Sequence, residues 1–327
     1  MAARGRPQPP SGRGATRVVV RALEPRDLDE ADRVTRLAFG TFLGAPDPLS
    51  VFGDAQLVRT RFAAEPSWAF AAELDGQIVG SNFATRWGSF GFFGPLSVRP
   101  DLWDQGIAQQ LMAPVIDLFD AWQLRQAGLF TFAESPKHVG LYQRFGFWPQ
   151  QLTAVMARAV GPAALRGPAA RYSEVPAGER DATLERCREL TGALFEGLDL
   201  EHEIRAAEAQ RLGDTVLLIE GSAIAGLAVA HCGAGEAASG TCFVKFGAVR
   251  PGPAAGDLFE ALLAACEQLA SERGAERIVA GTSVARHDAY RRLMARGYRT
   301  QFHGVRMARP DEPGYCGREV YAIDDLR

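Results

Sequence analysis

One pattern occurs twice in this chain, and that repeat limits the fold more than any other feature. Val98-Arg99-Pro100 ends an apolar strand ahead of a helix, and Val249-Arg250-Pro251 does the same later. Gly146-Phe147-Trp148 follows a short helix in the first half, and Gly297-Tyr298-Arg299 follows one in the second; both pairs are offset by 151 residues. Leu74-Asp75-Gly76-Gln77-Ile78 and Ile219-Glu220-Gly221-Ser222-Ala223 read as equivalent hairpin turns. At roughly 150 residues per domain, the 327-residue chain holds about two units, each able to bury a core. The Gly/Pro/Ala stretch ahead of Arg171 is the linker. The division is therefore a tail at 1–15, a first domain at 16–160, a linker at 161–170 and a second domain at 171–327.

Each half reads the same way. A strand (Arg17 to Arg21, or Arg171 to Val175) leads into an amphipathic helix, then a short meander of strands. A long helix, a strand, a short helix and a final strand follow, which points to a mixed α/β layer around a sheet.

Composition narrows the functions. With 36 Lys plus Arg against 39 Asp plus Glu, the net charge is -3, so a partner rich in phosphates, such as nucleic acid, is disfavoured. No uncharged apolar run approaches the ~20 residues of a membrane span. The tail is rich in Arg, Gly and Pro without an apolar core, and reads as disordered, not as a signal peptide. The five cysteines form no CxxC pair and the histidines are scattered, so free thiols in the cytoplasm are expected and no metal site.

The chemistry concentrates in the first half. Phe90 to Val98 is an apolar strand that breaks at Arg99-Pro100, and Asp104-Gln105-Gly106-Ile107-Ala108 opens a long helix. Ile107, Leu111, Val115, Leu118 and Trp122 recur along one helix face. A tight turn of small residues at a helix start gathers free backbone N–H groups at its positive end, a ready anion site. Pro114 lies inside this helix, where a kink is expected. Downstream, a strand at Leu129 to Ala133 precedes Glu134-Ser135-Pro136-Lys137-His138. Ser135 suits an N-cap, Pro136 the first helical position and Gly146 the left-handed stop.

Leu141-Tyr142-Gln143-Arg144-Phe145-Gly146-Phe147, placed after a strand–Gly-Ile-Ala–helix unit, resembles the GNAT superfamily of acetyl-CoA-dependent N-acetyltransferases. The likeness is good from Arg17 to about Arg158 and weaker in the second half, so the whole is similar to a tandem GNAT protein. The resemblance implies two mixed, mostly antiparallel splayed sheets with helices on both faces. It also implies acetyl-CoA as cosubstrate, its pantetheine lying along the backbone of Leu96, Ser97 and Val98. Its pyrophosphate would be held by Gln105, Gly106, Ile107, Ala108 and Gln109, with Ser135 beside the cofactor. Tyr142 matches the family's general acid; a phenol of pKa near ~10 can protonate a departing thiolate of comparable basicity. Glu134 and His138 are the candidate general bases, with Glu73 a third. The loop departs from the family pattern at Trp103, where Gln or Arg is usual, and at the acidic Asp104.

The second half reads as a degenerate copy. Its loop carries Asp257 where a pyrophosphate would lie if Gly256 matches Gly106, and Leu293 stands four residues before Gly297, the position Tyr142 holds before Gly146. The resulting expectation is acetyl transfer to a primary amine of a small molecule or peptide, without nucleic-acid or membrane partners. A non-catalytic acyl-CoA binder and a two-domain, thiol-building enzyme of the mycothiol synthase type are the alternatives. The loop Gly40 to Asp54 is a candidate acceptor-pocket element; Trp87, Phe90, Phe92 and Phe93 could line such a pocket too, but aromatics on a strand are more often core.

Overall fold

The computed structural model describes residues 18–161 and 169–327; the expected tail and most of the expected linker lie outside them. The first half runs β1 (Val19–Ala22), α1 (Leu28–Phe42), α2 (Leu57–Ala64), β2 (Ala69–Leu74), β3 (Gln77–Trp87), β4 (Phe90–Phe93) and β5 (Ser97–Val98). It continues with α3 (Ile107–Ala121), β6 (Gln126–Thr131), α4 (Pro136–Gln143) and β7 (Trp148–Ala159). The second half runs β8 (Ala170–Arg171), α5 (Arg180–Leu194), α6 (Glu201–Ala209), β9 (Gly213–Glu220), β10 (Ala223–Gly233) and β11 (Ala238–Val249). It closes with α7 (Ala255–Glu272), β12 (Arg277–Ser283), α8 (His287–Ala295), β13 (Arg299–Arg309) and β14 (Ala322–Ile323).

Local chemistry explains most of these boundaries. Asp75 and Gly76 both take positive φ, which sets the two-residue hairpin between β2 and β3. Ala31, Val34, Thr35 and Ala38 recur at helical spacing on the buried face of α1. Ile107, Leu111, Met112, Val115 and Phe119 do the same for α3, which runs through Pro114 without ending there. Two expected strands differ. Phe90 to Val98 is interrupted at Gly94-Pro95, where a proline cannot donate to a ladder, giving β4 and β5. Beyond Arg171, the strand expected to reach Val175 becomes a 3₁₀ turn at Tyr172–Glu174.

The sheet topology differs from two separate sheets. The halves share one 14-stranded sheet among the described residues, with the main order β1-β2-β3-β4-β6-β13-β7-β12-β11-β10-β9-β8. The closing strands are exchanged: β13 of the second half pairs with β6 of the first, and β7 of the first pairs with β12 of the second. Along this main path every strand but the two outermost is paired on both sides, and the two halves cannot separate without breaking main-chain ladders.

A buried ion cluster adds to the junction. Arg61 of α2 donates to Glu236 at 2.7 Å, and Lys245 lies 2.8 Å from Glu236 and 3.0 Å from Glu203. The Trp87 indole N–H donates to Glu203, and His231 lies between the two carboxylates. Removing one partner from such a cluster leaves an uncompensated buried charge. Among the described residues no helix is long and apolar enough to cross a membrane.

Candidate active site

The site begins where two parallel strands part. β4 and β6 pair at Phe90↔Gln126, Gly91↔Ala127 and Phe92↔Gly128 and no further. Beyond that point β5 stays with β3, through Ser97↔Ser81 and Gly80↔Val98, while β6 stays with β13. Within a strand the N–H and C=O of one residue share an edge and alternate with the next residue. Ser97 pairs toward β3, so the main-chain groups of Leu96 and Val98 face the gap. That gap opens into a cleft of about 1500 Å³.

One wall is the turn into α3. Gly106 is its N-cap at φ 78°, a left-handed conformation that suits glycine, with open space where a Cβ would stand. Gln110 N–H donates to Gly106 C=O, so the N–H groups of Ile107, Ala108 and Gln109 have no acceptor within the helix. No acidic residue lies in this first turn. Trp103 has a role of its own: its indole N–H donates to Val98 C=O at 2.7 Å, which braces the turn against β5. Asp104 is neutralised by Lys137 at 2.7 Å, and the ammonium lies over the Trp103 ring. The side chain that looked adverse to an anion is thereby matched by a cation from α4.

The facing wall is α4 and the end of β6. The Ser135 hydroxyl accepts from His138 N–H, and Gly146 at φ 82° ends the turn after α4. Tyr142 lies beside Phe93, with ring centroids 5.5 Å apart, and its hydroxyl bonds with Thr131. Burial pushes this phenol up to about 12, so it stays protonated through the neutral range. His138 lies against Phe42 and Phe132, and burial, helped by Lys137, lowers its pKa from the ordinary 6.5. Its neutral, proton-accepting form is therefore favoured.

Leu96, Ser97, Val98, Gly106, Ile107, Ala108 and Gln109 all line this one cleft, as do Glu134, His138 and Tyr142. Gln105 and Ser135 do not line it: Gln105 is exposed, and Ser135 is committed to its own helix. Glu73 pairs with Arg21 of β1 instead. Trp87, Phe90 and Phe92 are buried in a core shared with the second half, and only Phe93 of that group reaches the cleft.

The remaining wall comes from residues that no local motif announces. Glu236 to Ser239, Thr241, Phe243, Arg277, Val279, Phe302 and His303 line the same cleft from the second half. They arrive there because β13 is exchanged and because the turn between β10 and β11 docks on the loop after α1. Gln56 N–H donates to Gly235 C=O at 2.7 Å, and Ser239 N–H donates to Asp54 at 2.8 Å. Arg61 also donates to Gly94 C=O at 2.7 Å, so the buried ion cluster holds the break in the central strand.

The second half has the same splay, already filled. β11 and β12 pair in parallel from Thr241↔Arg277 to Val244↔Ala280. Past that point β14 pairs with β11 at Gly247↔Ile323 and Ala248↔Ala322, and Thr282 Oγ1 donates to Ala322 C=O at 2.9 Å. At the start of α7, a Cβ on Gly256 would meet the Arg292 guanidinium and the Tyr321 hydroxyl. The N-cap of α7 is Ala254, so the expected match of Gly256 with Gly106 is off by two residues. Leu293 is packed in the core. Among the described residues no group of three or more His, Cys, Asp or Glu is placed to hold a metal.

These features define an α/β protein of two similar halves with one open cleft between parting parallel strands. The family model of the acetyltransferase (GNAT) family matches residues 37–147, the stretch that carries both the α3 turn and the α4 wall of the open cleft. The fold over the full chain is similar to solved GNAT structures. One is a protein from Pyrococcus horikoshii described as an acetyltransferase, 14% identical, with a TM-score of 0.66 over 94% of this chain and 95% of that one. Another is a GCN5-related N-acetyltransferase from Sphaerobacter thermophilus, 16% identical, with a TM-score of 0.59 over 91% and 96%. A third is a tandem GNAT protein from the clavulanic acid biosynthesis pathway, 12% identical, with a TM-score of 0.54 over 89% and 98%. No curated protein matches the sequence.

Proposed function

We propose that this protein moves an acetyl group from acetyl-CoA directly to a primary amine of a small molecule or peptide, in the cleft of residues 16–160. On this reading 171–327 is a degenerate copy that supplies part of the acceptor wall. The observation that carries the proposal is the pairing of two walls on one cleft. Free helix N–H groups at Ile107 to Gln109 stand on one side, and a protonated phenol at Tyr142 stands on the other.

The residues suit the cosubstrate. The α3 N-terminus offers donors and positive potential to a diphosphate, and the open edge of Leu96 and Val98 can pair with the amides of pantetheine. A neutral amine attacks the thioester carbonyl, forming the C–N bond, and the C–S bond then breaks. Tyr142 gives its proton to the departing sulfur, assistance worth about 10²–10⁴-fold. His138 or Glu134 takes the proton that the amine releases; the lowered pKa of His138 favours it in that role. The five unpaired cysteines fit a reducing, cytoplasmic setting.

Thiol release from acetyl-CoA across a panel of amines tests the proposal. Turnover with wild-type protein that falls steeply in Tyr142→Phe is expected. Undiminished turnover in that variant would remove Tyr142 as the acid, and no transfer to any amine despite tight acetyl-CoA binding would favour a binding protein instead.

A further inference from the structure

Aromatic rings from both halves wall the cleft. Phe39 and Phe52 meet edge-on at 5.4 Å, Phe42 and Phe132 lie 4.6 Å apart, and Phe130 faces Phe302 at 6.1 Å. Phe302 is 41% exposed, and the other five are half-buried. Such surface gains free energy when an apolar body covers it.

The charges lining the cleft are largely matched already. Glu236 is held by Arg61 and Lys245, Asp104 by Lys137, and Asp54 accepts from Ser239. Arg327 pairs with Asp325 while lying over the Phe243 and Phe302 rings. Asp54 and Glu134 form no ion pair among the described residues, and neither do Arg144 and Arg277. The lining sets Arg61, Lys137, Arg144, Arg277 and Arg327 against Asp54, Asp104, Glu134 and Glu236. One ammonium can meet Glu134, but no surplus of negative charge draws a polycation.

We infer that the acceptor is a mono-amine carried on an apolar, ring-bearing body, the arylalkylamine class, and not a polyamine, an aminoglycoside or a lysine-rich peptide. The inference rests on acetyl transfer in this same cleft. Specificity then lies in rings that the sequence scatters over both halves, with Phe302 brought in by the exchanged strand.

Calorimetry of the full chain with 2-phenylethylamine and with spermidine, without and then with acetyl-CoA, tests it. The ring-bearing amine should bind at least about tenfold more tightly, the range that burial of one phenyl group supports. Phe302→Ala and Phe52→Ala should each weaken it about tenfold and leave acetyl-CoA affinity unchanged; Phe302→Leu, which keeps apolar area, should fall between. Phe302 is partly exposed, so its truncation spares the core. Spermidine binding as tightly as the aryl amine, or both alanine variants behaving as wild type, would overturn the inference. If acetyl-CoA fails to bind while the aryl amine binds in a Phe302-dependent way, the transferase reading falls and the aromatic pocket stands.

Discussion

The two halves open the same kind of gap between parallel strands and use it in opposite ways. In the first half β4 and β6 part after Phe92↔Gly128, and the exposed edge faces a cleft. In the second half β11 and β12 part after Val244↔Ala280, and β14 takes the edge. Splayed strands leave N–H and C=O groups that must find partners. One half meets that need with its own backbone, and the other leaves the edge open to the cleft. The helix starts differ in the same sense: the N-cap Gly106 of α3 is open, whereas Arg292 and Tyr321 crowd the first turn of α7 at Gly256. A short strand and two side chains thus separate a filled gap from an open one in two otherwise similar halves.

The largest test of this asymmetry is at the acid. Tyr142→Phe should lower kcat by about 10²–10⁴ in steady-state assays, while Tyr290→Phe on the matching helix of the second half should leave kcat unchanged. Equal losses would mean that both halves work. The ion cluster comes next. Glu236→Ala should cost about 3–5 kcal/mol in denaturant unfolding, because Arg61 then stays buried without a carboxylate and Lys245 keeps only Glu203. A loss near zero would show that the exchanged strands alone hold the halves together.

A smaller effect is expected at the anion site. Gly106→Asp combines a strained left-handed backbone with a negative charge at the helix start, and should weaken acetyl-CoA at least about tenfold by calorimetry. Ala254→Asp, at the N-cap of α7, should change nothing, and wild-type protein should bind one acetyl-CoA per chain. Two equivalents would show that β14 yields its place.

The mildest effect is in the pH profile. Burial favours neutral His138, so base function is present above its lowered pKa and is lost as pH falls through it; the acid limb of kcat should lie below 6.5. Tyr142 ionises only near 12, so no alkaline limb from the acid should appear at ordinary assay pH. His138→Gln should abolish the acid limb; an unmoved limb would transfer the role to Glu134.

Much of the site was legible in order along the chain. Ser135, Pro136 and Gly146 bound α4, and Gly106 starts α3, because caps and left-handed glycines act through neighbouring residues. The spacing that sets Tyr142 on the cleft side of α4 is equally local. Trp103 and Asp104 depart from the family pattern in sequence, and only the tertiary structure shows that they are tied to Val98 and Lys137. Trp87, Phe90 and Phe92 are core, the usual place for aromatics on a strand, but the second half that helps bury them has a position the strand pattern does not encode.

By itself the sequence determined the repeat, the α/β elements, the hairpin turns and the order of anion loop and phenol, all consequences of short-range periodicity and backbone preference. Tertiary structure alone decided that β7 and β13 change places, that β14 fills one cleft and that Phe243 and Phe302 face the other. Strand pairing and burial join residues far apart in the chain, and many partners satisfy the same alternating pattern. Which of them meet is settled only when the whole sheet closes.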